Sequence, residues 1–185
     1  MENKHKCAWC IGDPLYETYH DIEWGVPVYN DDTLFEFLIL EGFQAGLSWI
    51  TILKKRGAFR EAFDQFDYKK IANYNEDKLE ALLQNKDIVR NRLKIRSSVQ
   101  NARAFIKVQE EFGSFSQYYW GFTQGKTLIN KVSVYKEAPA FTPLSVAISK
   151  DLKKRGFNFV GPTIIYAFMQ ATGMVNDHEV NCYLY

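Results

Sequence analysis

The sequence predicts a mainly α fold, from three kinds of observation. Helix start signals, in which a capping residue or glycine stands just before proline, occur at Asp13-Pro14, Thr142-Pro143 and Gly161-Pro162. Proline's fixed φ suits the first helical position, where its missing N–H would have no intrahelical partner anyway. Apolar residues recur at helical steps along much of the chain. Period-two alternation is weak, and Val132 to Val134 reads as the one extended piece, within a stretch of loop near 121 to 141.

Behind Asp13-Pro14, the residues Tyr16, Tyr19, His20 and Glu23 fall at helical spacing. Leu34 to Glu41 is an apolar helical run carrying two acids. Glu76 to Gln84, with Leu79, Leu82 and Leu83, is followed by a turn at Asn85-Lys86-Asp87. Ile95, Val99, Ala102 and Ile106 then mark a long amphipathic helix from about Arg92 to Phe112. Leu144, Ile148 and Leu152 follow the second proline signal, with Gly156 as the stop. Thr163 to Thr172 follows the third and is closed by Gly173.

At 185 residues and 46% apolar composition, the chain is expected to be one globular domain spanning 1–185, since domains run to about 150 residues. A chain of this size buries roughly 70% of its unfolded surface and needs no covalent staples. Twenty-three basic against 22 acidic side chains leave a formal net charge of +1, so a polyanion would be met by one face rather than by a uniformly basic coat. Three cysteines, an odd number, argue against a disulfide framework. Met1 to Cys7 shows no apolar leader, and the most apolar window, Val160 to Val175, is broken by Pro162, Gln170 and Gly173. A soluble cytoplasmic protein without a membrane role is expected. Aromatics make up 16% of the chain, enough to fill a core or to line a site for a flat or cationic ligand.

Three constellations carry chemistry. The first is a carboxylate on an apolar stripe: Glu41 lies seven positions after Leu34 and four after Phe37, on their face of a helix, whereas Glu36 is expected to face away. A buried carboxylate must meet a hydrogen-bonding partner or line a pocket that receives one. The other possibility is that the helix stops at Gly42 and Glu41 turns to solvent. Gly42 and Gly46 permit a sharp turn that delivers Gln44 and Trp49 near the acid.

The second is a metal site closed by the two ends of the chain. His178 and Cys182 are one helical turn apart, and Cys7 with His20 supply a matching pair. Two thiolates and two imidazoles suit tetrahedral structural zinc, which leaves no open position for water. Cys10, in a Cys7-Ala8-Trp9-Cys10 knuckle spacing, and His5 compete as ligands, and buried reduced thiols with hydrogen-bonded histidines are the alternative without metal.

The third is a helix, turn and helix in which Arg90, Arg92, Lys94 and Arg96 crowd the start of the second helix. A helix N-terminus flanked by cations suits phosphate. The basic runs Lys54-Lys55-Arg56 and Lys153-Lys154-Arg155 extend the same face or are simply solvated.

These residues resemble the 3-methyladenine DNA glycosylase I family, a branch of the helix-hairpin-helix DNA glycosylases, nearly end to end. The matching segments are Asp13-Pro14-Leu15-Tyr16, Tyr19-His20-Asp21, Glu23-Trp24-Gly25-Val26-Pro27, Leu40-Glu41-Gly42, Gln44-Ala45-Gly46-Leu47-Ser48-Trp49, Lys153 to Phe157, Phe159-Val160-Gly161 and Val175-Asn176-Asp177-His178. The resemblance implies a helix-hairpin-helix fold with a zinc site that joins the terminal segments through Cys7, His20, His178 and Cys182, favouring Cys7 over Cys10. It also implies a monofunctional base-excision-repair enzyme, a monomer on double-stranded alkylated DNA, that hydrolyses the N-glycosidic bond of 3-methyladenine. Glu41, Tyr16, Tyr19, Trp24 and Trp49 would form its base pocket.

The physics agrees with that implication. A base inside a duplex must be extruded to be cut, and stacked aromatics with one carboxylate hold a flipped purine by its faces and edge. Methylation at N3 makes the purine cationic, so ring faces and a carboxylate attract it. As the activated base departs, water adds to a sugar with oxocarbenium character, and the protein supplies extrusion, orientation and electrostatics. Glu41 is expected to serve base recognition first and catalysis second. The turn lacks the glycine of many such hairpins, so Asn85 or Asp87 is expected to adopt the left-handed conformation. Leu47 and Ile50 are candidates for wedging the duplex. The competing readings are a non-catalytic lesion-binding module, a bifunctional glycosylase using Lys94 as a Schiff base, and a zinc-stabilised interaction protein.

Overall fold

A computed structural model describes residues 5–185; Met1 to Lys4, in the stretch expected to carry no apolar leader, lie outside the described residues. The described chain is mostly helical. Its helices are α1 (Pro14–Ile22), α2 (Asp31–Gln44), α3 (Trp49–Ala62), α4 (Tyr68–Ile71), α5 (Glu76–Gln84), α6 (Arg92–Phe112), α7 (Phe115–Gly121), α8 (Pro143–Lys154) and α9 (Pro162–Ala171). No helix among the described residues is long and apolar enough to cross a membrane.

The expected start and stop signals act as capping chemistry requires. The Asp13 carboxylate accepts from the amides of Leu15 and Tyr16 at the head of α1, and Thr142 with Ser145 closes a reciprocal cap on α8. Asn91 caps α6, whose apolar stripe Ile95, Val99, Ala102 is buried. The extended piece is larger than the sequence indicates. Strand β1 (Leu128–Ile129) pairs in parallel with β2 (Val175–Asn176), and Val132 forms a single bridge to Glu179. Two-residue strands are too short to show a period.

Helix α2 is the centre of the molecule and packs against α3, α6, α7 and α9. Every residue from Leu34 to Phe43 is buried, so that stretch of the helix has no solvent face. This corrects the expectation for Glu36, which is buried, not turned outward: Arg56 Nε and Arg60 Nε donate to its carboxylate at 2.5 and 3.1 Å. Arg56 also reaches Glu23 at 2.5 Å, so the third member of the first basic run is a tie between α1, α2 and α3 and not part of a basic face. Helix α3 was hidden because that charged run interrupts its buried stripe, Trp49, Ile52, Leu53, Arg56 and Phe59. The polypeptide leaves α2 through Gly46 at φ +81°, a left-handed conformation that glycine adopts without strain.

Candidate functional site

Glu41 sits three residues before the end of α2, so the helix does not stop at Gly42 and the acid does not reach solvent: it is 3% exposed. Its Oε2 has no hydrogen-bond partner among the described residues. Burial pushes its carboxyl up to about 8, because the interior disfavours the charged form. An unpartnered buried carboxyl is costly, and this one lines a cleft of about 360 Å³, its open mouth included.

Four aromatics named from the sequence line that cleft: Tyr16 and Tyr19 from α1, Trp24 just beyond it, and Trp49 at the head of α3. Tyr19 and Trp49 lie 5.6 Å apart between ring centroids. Gln44, expected near the acid, is also a lining residue. Burial raises the Tyr16 hydroxyl to about 12, with Glu41 adding to the shift. The sequence did not single out four further lining residues: Trp9, Tyr135, Ala167 and Gln170. Trp9 packs edge-on against Tyr16 at 4.7 Å and Trp24 at 5.0 Å. The indole N–H groups of Trp9 and Trp49 are buried without acceptors among the described residues. The only sequence signal for Trp9 was its place between Cys7 and Cys10. Tyr135 lies in the loop region and Gln170 inside an apolar helix, and neither carries a local signal.

Behind this cleft the two chain ends meet. Ligand atoms of Cys7, His20 and Cys182 lie within 4.8 Å of one another, all three residues buried. His20 turns Nδ1 to the Asp21 carboxylate at 2.9 Å and Nε2 toward Cys182 Sγ at 3.5 Å. His178 repeats the pattern: Nδ1 meets the Asn176 side-chain oxygen at 2.8 Å, while its buried Nε2 has no partner among the described residues. Burial lowers His178 to about 4, which keeps the imidazole neutral. His178 lies outside that group of three, with its ring 5.0 Å from that of His20. Two thiols, one imidazole and a nearby neutral imidazole with an orphaned nitrogen are donor types that suit a tetrahedral metal. The competing ligands are placed otherwise. Cys10 donates its thiol to the Cys7 carbonyl at 3.1 Å, and His5 is exposed.

Cluster and cleft share a wall. The Trp24 ring stands 4.7 Å from His178 and 6.3 Å from His20. Gly25 has φ +79°, and a Cβ there would lie 2.7 Å from His178 Cε1, so glycine permits the close approach.

The cations of the helical hairpin fall into three groups. Arg96 is paired with Glu76 and Arg92 with Glu80, both across to α5 and both still exposed; Lys86 and Arg90 are exposed as well. Neither Asn85 nor Asp87 takes a positive φ, contrary to expectation. The Asn85 side chain closes the turn by accepting from the Asp87 amide at 2.9 Å, which removes the need for a left-handed residue. Lys94, the Schiff-base candidate, is buried with Nζ donating to the carbonyls of Phe43 and Ala45 at 2.8 and 2.6 Å. It caps the end of α2.

A family model described as methyladenine glycosylase matches residues 9–185. The chain belongs to the methyladenine glycosylase family. It is 48% identical over 180 residues to DNA-3-methyladenine glycosylase 1 of Escherichia coli K12, covering 97% of this chain and 96% of that protein. It is 46% identical to the DNA-3-methyladenine glycosylase of Haemophilus influenzae, with 96% of each chain covered. Among solved structures, a crystal structure of 3-methyladenine DNA glycosylase I superposes with a TM-score of 0.95 at 49% identity, covering 98% of this chain and all of the other. The Staphylococcus aureus member, whose structure addresses recognition of 3-methyladenine, superposes at 0.93 with 36% identity, covering 96% of this chain and 95% of the other.

Proposed function

We propose that this chain is a monofunctional DNA glycosylase, one domain of residues 1–185 acting as a monomer on double-stranded alkylated DNA, and that it hydrolyses the N-glycosidic bond of 3-methyladenine. The observation that carries the proposal is the orphaned carboxyl oxygen of Glu41 in an aromatic cleft, and the names of the relatives, DNA-3-methyladenine glycosylases, support it.

In this reading the flipped purine enters among Tyr16, Tyr19, Trp24 and Trp49. Its positive charge favours the ionised form of Glu41, which then accepts from the exocyclic amine. Neutral adenine supplies no such charge and is a poor leaving group. The base leaves neutral as water adds to the sugar. Cys7, His20, His178 and Cys182 would hold a structural zinc, which when bound ties the terminal segments behind the pocket. The α5 to α6 turn serves as the hairpin, with exposed Lys86 and Arg90 directed to phosphate. Leu47, 43% exposed between Gln44 and Trp49, is better placed than half-buried Ile50 to fill the gap left by the extruded base.

The test is chromatographic detection of bases released from methylated DNA. The natural chain should release 3-methyladenine, and Glu41→Gln should slow release roughly ten- to a hundredfold, the worth of a charge-assisted hydrogen bond. Binding of methylated DNA without base release by folded, zinc-loaded protein would replace the enzyme with a lesion-binding module. Unchanged release by Glu41→Gln would remove Glu41 from the pocket chemistry.

A further inference from the structure

Asp177 is fully buried and stands one residue before the metal-ligand candidate His178, yet the site described so far makes no use of it. Its carboxylate accepts from Asn130 Nδ2 at 2.6 Å, Tyr166 Oη at 2.6 Å and Gln170 Nε2 at 2.7 Å. An ionised carboxylate can only accept, so the amide of Gln170 must turn its NH₂ toward Asp177 and its oxygen away. Gln170 Oε1 then accepts from Tyr135 Oη at 3.4 Å. Gln170 and Tyr135 both line the cleft that holds Glu41. The direction of every hydrogen bond in this relay is therefore set from one end: Asp177 accepts, Gln170 passes an acceptor forward, and Tyr135 spends its single hydroxyl proton on it.

We infer that Asp177 is a positioning residue that sets the polarity of the α9 side of the base pocket, making it accept hydrogen bonds and carry negative charge behind it. The inference rests on the glycosylase reading above. With Gln170 Oε1 and Tyr135 Oη fixed as acceptors, this side favours a cationic purine whose exocyclic amine gives one N–H to Glu41 and has a second to offer here. It penalises one that presents an exocyclic oxygen, because two acceptors then face each other with no proton between them. Asp177 thus acts on the choice between 3-methyladenine and 3-methylguanine without touching either. It also shapes the pocket from the segment that carries His178, so the metal cluster and the base pocket share one support.

Asp177→Asn preserves shape while allowing the amide of Gln170 to reverse. Three readings follow on the purified, zinc-assayed protein: rates of 3-methyladenine and 3-methylguanine release from methylated DNA, quenching of tryptophan fluorescence by free 3-methyladenine, and the same readings with Gln170→Met and the double variant. The expected result is about tenfold weaker quenching affinity and a fall of about tenfold in the 3-methyladenine to 3-methylguanine ratio. In the Gln170→Met background Asp177→Asn should change both less than twofold, because a residue that acts through another is silent when that other is gone. A folded Asp177→Asn protein with the natural ratio, or an equal effect of Asp177→Asn with and without Gln170, would overturn the inference. Should Asp177→Asn fail to fold, Gln170→Met alone decides, and an unchanged ratio there overturns it too. No 3-methyladenine release by the natural chain defeats the glycosylase reading instead, and is thus a separate outcome.

Discussion

Glu41 makes folding depend on pH in the direction opposite to that of an ordinary salt-bridged acid. Burial raises its carboxyl to about 8 in the folded chain, against about 4.5 when unfolded, so the folded state holds the proton more tightly. Its contribution to stability is full below about pH 4.5, declines as pH rises through about 8, and is level above that. Glu41→Gln carries no charge to bury, so it should overtake the natural chain across this window by roughly 1–3 kcal/mol. Thermal melts of both proteins between pH 5 and 9 check this, and parallel pH profiles would refute it. At Gly25 the expected change is steric: Gly25→Ala places a methyl against the His178 ring and should lower zinc content measured on the purified protein. The acid was legible because an apolar helical stripe with one carboxylate is a local pattern. The amide of Gln170 was not, because nothing within a few residues of it predicts that Asp177 and Tyr135 will take its two ends.

Helices α1, α2 and α3 are tied by Arg56, which bridges Glu23 and Glu36. Both partners of the Arg56 to Glu36 pair are about a tenth exposed in their side chains, so solvent screens them little. Arg56→Leu strands the Glu36 charge with only Arg60 beside it, and should cost about 3 kcal/mol in urea unfolding. Glu36→Gln with Arg56→Leu should recover part of that loss, whereas equal losses would show that the pair is not coupled. At the other end of α2, Lys94 is held by two carbonyls and burial lowers its affinity for a proton. Borohydride treatment during turnover is expected to trap no protein–DNA adduct. Lys94→Met should cost roughly 1–3 kcal/mol in the same unfolding experiment through lost hydrogen bonds. Helix starts were legible from Asp13, Thr142 and the prolines, since caps act within one turn. Helix α3 was not, because a lysine-arginine run reads as a solvated face until Glu36 and Glu23 are brought against it.

Across the whole molecule, the first and last described segments close on each other behind the pocket. The Glu179 amide donates to Cys7 Sγ, 172 residues away in sequence, and the Tyr183 amide donates to the His5 carbonyl. Chelation is expected to lower the melting temperature and to raise amide exchange in residues 5–10 and 178–185 before the α2 and α6 core is affected. Free 3-methyladenine should also bind more weakly after chelation, since Trp24 rests on His178 and His20. Unchanged melting and exchange after complete metal removal would defeat the zinc proposal.

Helical class, the start of α1, the ends of α5, α6, α8 and α9, the acid Glu41, the Cys and His candidates and the family likeness could all be read from the amino-acid order. Each rests on periodicity, capping or a motif spanning a few residues, which local chemistry controls. Packing settled other matters: that Glu36 is buried with arginines, that Cys10 turns its thiol to a carbonyl instead of toward His20, that Lys94 caps a helix, and that Trp9, Tyr135 and Gln170 join the pocket. Those outcomes depend on which surfaces meet across separations of up to 172 residues. Such contacts form only when the apolar faces of several helices are buried together, and no single stretch of sequence carries that information.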